Sequence, residues 1–329
     1  MKRIFPLAFL LFAMAFSVFA EDAAPESPFT LEEKEKDIVL LKENGKPVWE
    51  YVYRIHELPS LSFGTRQRFC SAGYFHPVYG LNGEVLTANI PESYHSNHHG
   101  IWSAFMNIFV READGKITSY NTWMDHTRLK KEFISWELKE ATKDYYKFKI
   151  HIGWFRCRYG ENPILPVPEE KYLDEYLTLT TWAVKDDPKF GKCRIMDFEY
   201  SWTPTTYEMR LAGDKPGKRG FSSLAMRFAV LKDDLKPQIF NEKGLIKEDD
   251  MICPCEWVDY VYQFEGKEKP ATGVAIYPDP ANPKSAGWAI RHYGLIATGW
   301  PSIEGITLQP KETANLKYRI VIHEKTPLE

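Results

Sequence analysis

Cysteine is scarce in this 329-residue chain, with five residues at positions 70, 157, 193, 253 and 255. Five is too sparse for a disulfide scaffold, and an odd count leaves at least one thiol unpaired in a monomer. Cys253-Pro-Cys255 reads as half a metal site, but no second pair at matching spacing completes it. Beyond residue 20 no run is long and apolar enough to cross a membrane as a helix. Charge of one sign is also missing. The 42 Lys and Arg against 45 Asp and Glu give a net charge of -3, which provides no electrostatic footprint for nucleic acid. The chain has no phosphate-cradling Gly loop, no dinucleotide fingerprint and no Gly-x-Ser-x-Gly elbow. These absences argue against phosphoryl transfer, nicotinamide chemistry and an α/β-hydrolase.

Aromatic residues, by contrast, are abundant: 15% of the chain, with 10 Trp, 18 Tyr and 20 Phe. Such rings suit β-strands, and they suit a cleft that stacks flat ligands such as sugars. Residues 1–20 carry Lys2 and Arg3, then an apolar run, then Val18-Phe19-Ala20, the layout of a secretory signal peptide cleaved after Ala20. The mature net charge is then -5, and the expected location is periplasmic or secreted. Residues 21–35 are polar and rich in Pro, Ala and Glu, which predicts a loose N-terminal tail. Residues 36–329 show no internal repeat and no linker, and read as a single domain.

The dominant period in that domain is two. Phe148, Ile150, Ile152 and Trp154 alternate with Lys147, Lys149, His151 and Gly153. Met196, Phe198, Tyr200 and Trp202 oppose Asp197, Glu199 and Ser201, and Leu316, Tyr318, Ile320 and Ile322 repeat the pattern near the end. Each stretch predicts a half-buried strand. Asn44-Gly45, Asn82-Gly83 and Asp114-Gly115 supply the positive φ angles of tight hairpins. The expected fold is all-β, a large antiparallel sandwich.

Four of the nine His lie between residues 76 and 99, and His95, His98 and His99 share a five-residue window beside Trp102 and Tyr74. Imidazole titrates near neutral pH, so such a cluster can move protons or bind a metal. A second group, Trp123 with Asp125 and His126, sets a carboxylate and an imidazole beside a ring. A third contains Glu256 and Trp257. A fourth runs from Pro278 and Asp279 through Asn282 to Trp288, Arg291, His292 and Tyr293. Its three prolines in seven residues predict a rigid loop.

The segments GYFHPVYGLNGEVLT, HSNHHGIW, WVDY and GVAIYPDPANP with the later IRHYGL resemble a family of exported bacterial proteins carrying the label methane oxygenase PmoA. The resemblance spans roughly residues 50–324. It implies a fold like the galactose-mutarotase β-supersandwich, whose concave face handles carbohydrate. By position, His76, His95, His98, His99 and Trp102 match the family's His-rich half, and Asn282, Trp288, Arg291 and Tyr293 its C-terminal run. The sequence departs from the family pattern at Ala289, where His is usual, and at His292, where Asp is frequent.

The leading expectation is a glycoside-processing enzyme, acting as a hydrolase, lyase or epimerase. His76, His95, His98 and His99 would serve as acid, base or charge-stabilising groups, with Asp125, Glu256 and Asp279 as carboxylate candidates. Tyr74, Trp102, Trp123, Asn282, Trp288, Arg291, His292 and Tyr293 would hold the sugar. Two alternatives stand beside it: a non-catalytic glycan-binding module, and a metal-dependent exported protein with a divalent ion at the His95–His99 loop.

Overall fold

A computed structural model describes residues 27–35, 37–54, 72–89, 98–123, 128–158, 167–213, 222–232, 234–285, 287–301 and 304–325. Residues 1–26, Cys70, His95, Asp125 and His126 lie outside the described residues. Every regular element among the described residues is a strand, and the strands form three antiparallel sheets. This is the large antiparallel β-sandwich that the period-two pattern predicts.

The first sheet has nine strands, ordered Phe29–Glu35, Ile38–Glu43, Lys46–Val52, Tyr74–Val78, Ile101–Phe105, Ser222–Arg227, Leu295–Ala297, Trp288–Arg291 and Asp250–Cys253. The second has ten. Its centre is Thr272–Pro278, Ala314–His323, Gly191–Pro204, Val167–Trp182 and Tyr145–Arg158, with Leu129–Ala141 at one edge. A smaller sheet of Ile306–Leu308, Glu208–Ala212, Asn107–Arg111 and Ile117–Tyr120 completes the set. One hydrophobic core takes residues from all three sheets.

The predicted alternations are realised. Phe148, Ile150, Ile152, Trp154, Met196, Phe198, Tyr200, Trp202, Leu316, Tyr318, Ile320 and Ile322 are all buried in that core. The charged residues alternating with them lie on the opposite face, where Asp197 meets Arg319 at 2.7 Å and Glu199 meets Lys317 at 3.1 Å. Asn44 and Gly45 take φ of 49° and 75° in the turn between Ile38–Glu43 and Lys46–Val52. Gly115, at φ 82°, closes the hairpin between Asn107–Arg111 and Ile117–Tyr120.

The expected loose tail requires correction. Residues 29–35, inside the 21–35 stretch, form a strand paired with Ile38–Glu43. Phe29 is buried and its ring lies 6.5 Å from that of Tyr146, so an apolar anchor holds a segment whose composition is polar.

The two faces of the nine-stranded sheet differ. Trp49, Tyr51, Phe75, Ile101, Phe105, Leu224, Met226, Ile290 and Ile296 point into the core. The opposite face carries a separate cluster built on one cross-strand row. In register from strand to strand, that row reads Tyr74, Trp102, Ala225, Ala297, Ala289. Cross-strand neighbours stand about 5 Å apart. Large rings therefore sit beside three methyl groups, and the low alanine floor makes room for Trp123 and Tyr293 to pack over it.

Candidate functional site

The outer face of the nine-stranded sheet gathers most of the His-rich half and part of the C-terminal run. His98 and His99, 4% and 2% exposed, lead into the strand Ile101–Phe105 through Gly100. A Cβ at Gly100 would fall 1.9 Å from the Phe75 carbonyl oxygen and 2.9 Å from His76 Cβ. Glycine is required there because the two chain segments touch. That close approach seats the two imidazoles against the strand carrying Tyr74 and His76.

His99 stacks on Tyr74, with ring centroids 4.8 Å apart and 25° between planes, and meets Trp102 edge-on at 6.2 Å. Its Nδ1 lies 2.9 Å from Asn89 Oδ1, and Asn89 Nδ2 donates to the Tyr74 hydroxyl at 3.2 Å. An amide oxygen only accepts, so His99 Nδ1 carries the proton in this arrangement. In the neutral ring Nε2 is then the basic nitrogen. Burial pushes the Tyr74 phenol up to about 12 despite the Asn89 hydrogen bond, which keeps it protonated at neutral pH.

His98 lies 5.8 Å from Trp102, 6.2 Å from Trp123 and 6.3 Å from Tyr293, nearly parallel to the last at 8°. Trp102 and Trp123 are 5.1 Å apart. The Trp102 indole nitrogen is buried with no acceptor among the described residues. His76, half-buried, has Nδ1 3.0 Å from Thr87 Oγ1, which also accepts from the Val78 N–H. Burial pulls His76 down to about 4, so it is neutral at physiological pH.

Tyr293 lies in the turn between Trp288–Arg291 and Leu295–Ala297, where Gly294 takes φ 99°. Two guanidinium groups flank its ring: Arg227 at 5.0 Å and Arg291 at 5.3 Å from the centroid. Arg291 meets Asp249 at 3.3 Å. His292 is a strut, its Nδ1 2.9 Å from Asp249 Oδ1 and its Nε2 3.1 Å from the Ile246 carbonyl. Burial raises the Asp249 carboxyl, but the His292 N–H, its ring and Arg291 outweigh it and hold the group below the usual range.

Four predicted site residues lie elsewhere. Trp288 is buried on the core side of its strand, opposite Ala289, and donates to the Cys255 carbonyl at 2.8 Å. It lines a groove of about 880 Å³ with Glu256, Asp279 and Asn282. Asn282 is spent on backbone, donating to the Lys317 carbonyl at 2.7 Å and accepting from the Lys317 N–H at 2.9 Å. Asp279 accepts from the Ala281 N–H at 2.8 Å, and Glu256 is exposed. The C-terminal run is therefore split by the sheet, because alternate residues of Trp288–Arg291 face opposite ways.

A divalent ion at the His95–His99 loop would involve His95, outside the described residues. Among the described residues, no group of three or more His, Cys, Asp or Glu side chains is arranged to hold a metal. Cys157, Cys193, Cys253 and Cys255 are free thiols. Sequence reasoning missed Asn89, Arg227 and Asp249. Only Arg227 carried a signal: Leu224, Met226 and Phe228 alternate with Ala225 and Arg227, which turns the arginine away from the core.

The sequence matches the family of unknown function DUF6807 over residues 39–329, and the chain belongs to that family. No curated protein matches it. Among solved structures it is similar to galactose 1-epimerase from Lactobacillus acidophilus NCFM, with 10% identity and a TM-score of 0.38. The match covers 92% of this chain and 99% of that one. It is also similar to the Slr1438 protein from Synechocystis sp. PCC 6803, with 9% identity, a TM-score of 0.33 and coverage of 92% and 97%.

Proposed function

We propose that this protein is an exported carbohydrate-processing enzyme whose substrate lies against the outer face of the nine-stranded sheet. The observation that carries this reading is the convergence of Tyr74, His98, His99, Trp102, Trp123 and Tyr293 over the alanine floor. Ring faces offer the flat apolar contact that a sugar's C–H face requires, and imidazoles beside them supply groups that exchange protons near neutral pH. Hydrolysis by the usual route needs two opposed carboxylates. The described residues of this cluster present none, since Asp249 is held by Arg291 and His292. Imidazole-driven proton transfer, as in epimerisation, anomer exchange or elimination, fits the residues better. His99 Nε2 is the assigned base, held in its tautomer by Asn89.

A proton NMR time course with a panel of plant and algal oligosaccharides tests this directly. New anomeric signals, a vinylic signal or faster anomer exchange would each identify the reaction, and His99→Gln should lower its rate at least 100-fold. A glycan-binding module is the second reading, favoured by the ring-rich character of the same face. It predicts saturable line broadening without product, abolished by Trp102→Ala and retained in His99→Gln.

A further inference from the structure

Among the described residues, deeply buried cations come with carboxylates, with one exception. Arg194 is paired with Glu43, and Lys131 with Glu175 at 3.0 Å. Arg227 is 3% exposed and no carboxylate meets it among the described residues. Among the described residues its one side-chain hydrogen bond runs from Nη1 to the Tyr293 carbonyl, and its Nε is buried without an acceptor. Of five guanidinium donors, a single one meets an acceptor among the described residues. Burying a cation without a counter-charge is costly, and chains normally avoid it.

The position of Arg227 gives that cost a use. Its backbone N–H donates to Gly100 O, next to His99, and its carbonyl accepts from the Ala88 N–H, next to Asn89. Its guanidinium shares Tyr293 with His98. Arg291, the other cation over that ring, is already neutralised by Asp249. Arg227 is thus an uncompensated positive charge set among the rings of the candidate site, with a planar donor fork suited to an oxyanion.

We infer that the ligand of this face is an anionic carbohydrate, with Arg227 as the counter-ion for its carboxylate or sulfate group. This inference rests on the sugar-site reading above and narrows it. A uronate or a sulfate ester presents the same oxyanion chemistry to a guanidinium fork. Neutral sugars would leave the buried charge as unbalanced as before.

Calorimetry of the purified protein against matched oligosaccharides tests the inference. The probes are oligouronides, their methyl esters, sulfated oligosaccharides and neutral oligosaccharides. The expected result is that one acidic series binds at least tenfold tighter than its uncharged counterpart. Arg227→Met should abolish that preference, and Arg227→Lys should keep part of it. Trp102→Ala should weaken charged and uncharged sugars alike. Whether the uronide or the sulfated series wins identifies the oxyanion. Equal binding of acid and ester, unaltered in Arg227→Met, would overturn the inference and leave the sugar site standing. Binding of no carbohydrate in any series would overturn the sugar site, and this inference with it. Matching near-ultraviolet circular dichroism of the variants and the parent shows that a lost preference reflects the missing guanidinium and not a lost fold.

Discussion

Two regions of this molecule carry the residue types from which sites are built, and they use them in opposite ways. In the C-terminal groove, Asn282 completes the hydrogen bonding of Lys317, Asp279 closes a turn at Ala281, and Trp288 ties down the Cys255 carbonyl. Polar atoms there substitute for missing backbone partners, which is the ordinary work of Asn and Asp in loops. On the outer face of the nine-stranded sheet, side chains hold one another instead. Asn89 links His99 to Tyr74, His98 lies among Trp102, Trp123 and Tyr293, and Trp102 Nε1 and Arg227 Nε are buried with no acceptor among the described residues. The contrast shows that residue type alone does not mark a site. What sets the outer face apart is that aromatic rings, imidazoles and buried nitrogens with no acceptor among the described residues meet in one cluster.

The sharpest way to break this contrast is to compare the two buried arginines. Glu43→Gln removes the partner of Arg194, and stability should fall by about 3–5 kcal/mol, because an unpaired buried charge is left behind. Arg227→Met removes a charge that has no carboxylate partner among the described residues, and should change stability by less than about 1 kcal/mol, in either direction. Urea denaturation of both variants measures the difference. Equal losses would mean that Arg227 is a structural group like Arg194.

The next effect concerns the seat of the imidazoles. Gly100→Ala forces a methyl group onto the Phe75 carbonyl and should cost about 2–3 kcal/mol, read as a lowered Tm. An unchanged Tm would show that the contact relaxes freely.

His76 gives a pH signature specific to this face. Its ring titrates near 6.5 in the unfolded chain and near 4 when folded. Between those values the unfolded state binds the extra proton, so stability is complete above about pH 6.5 and declines as pH falls towards 4. With allowance for the half-buried ring, the decline amounts to about 2 kcal/mol. His76→Gln should flatten that part of the stability–pH curve. An identical slope in the variant would assign the dependence to other groups.

The smallest expected effect sharpens the comparison from the groove side. Asn282→Ala loses two hydrogen bonds to Lys317 and should cost about 1 kcal/mol, with carbohydrate binding unaltered. Asn89→Ala should instead displace the pH optimum of turnover, since it frees the His99 tautomer. A shift caused by Asn282→Ala would place the groove in the site.

Much of the architecture was legible beforehand. The alternations at 148–154, 194–202 and 316–322 specified strand, face and core together, because a strand's side chains can point only two ways. The leading edge was misjudged, since Phe29 is a single anchor in a polar stretch and local composition outweighs one ring. The site was legible in part. The His98-His99-Gly100 cluster and Trp102 announced themselves by density, and Tyr293 came with its run. Trp288 was drawn into the same group by proximity along the chain, although it faces the other side of the sheet from Ala289.

The amino-acid sequence by itself determined the all-β class, the strands and their inward faces, and the hairpins at Asn44-Gly45 and Asp114-Gly115, all of which follow from local sterics and a two-residue period. The tertiary structure decided which chemistry meets. Cross-strand register set Tyr74, Trp102 and the three alanines in one row, and the closed fold brought Asn89 to His99 and Arg227 to Tyr293. Those contacts join residues as much as 66 positions apart, as in the Arg227–Tyr293 hydrogen bond. No local pattern encodes such contacts, because they arise only when the whole sheet closes over its shared core.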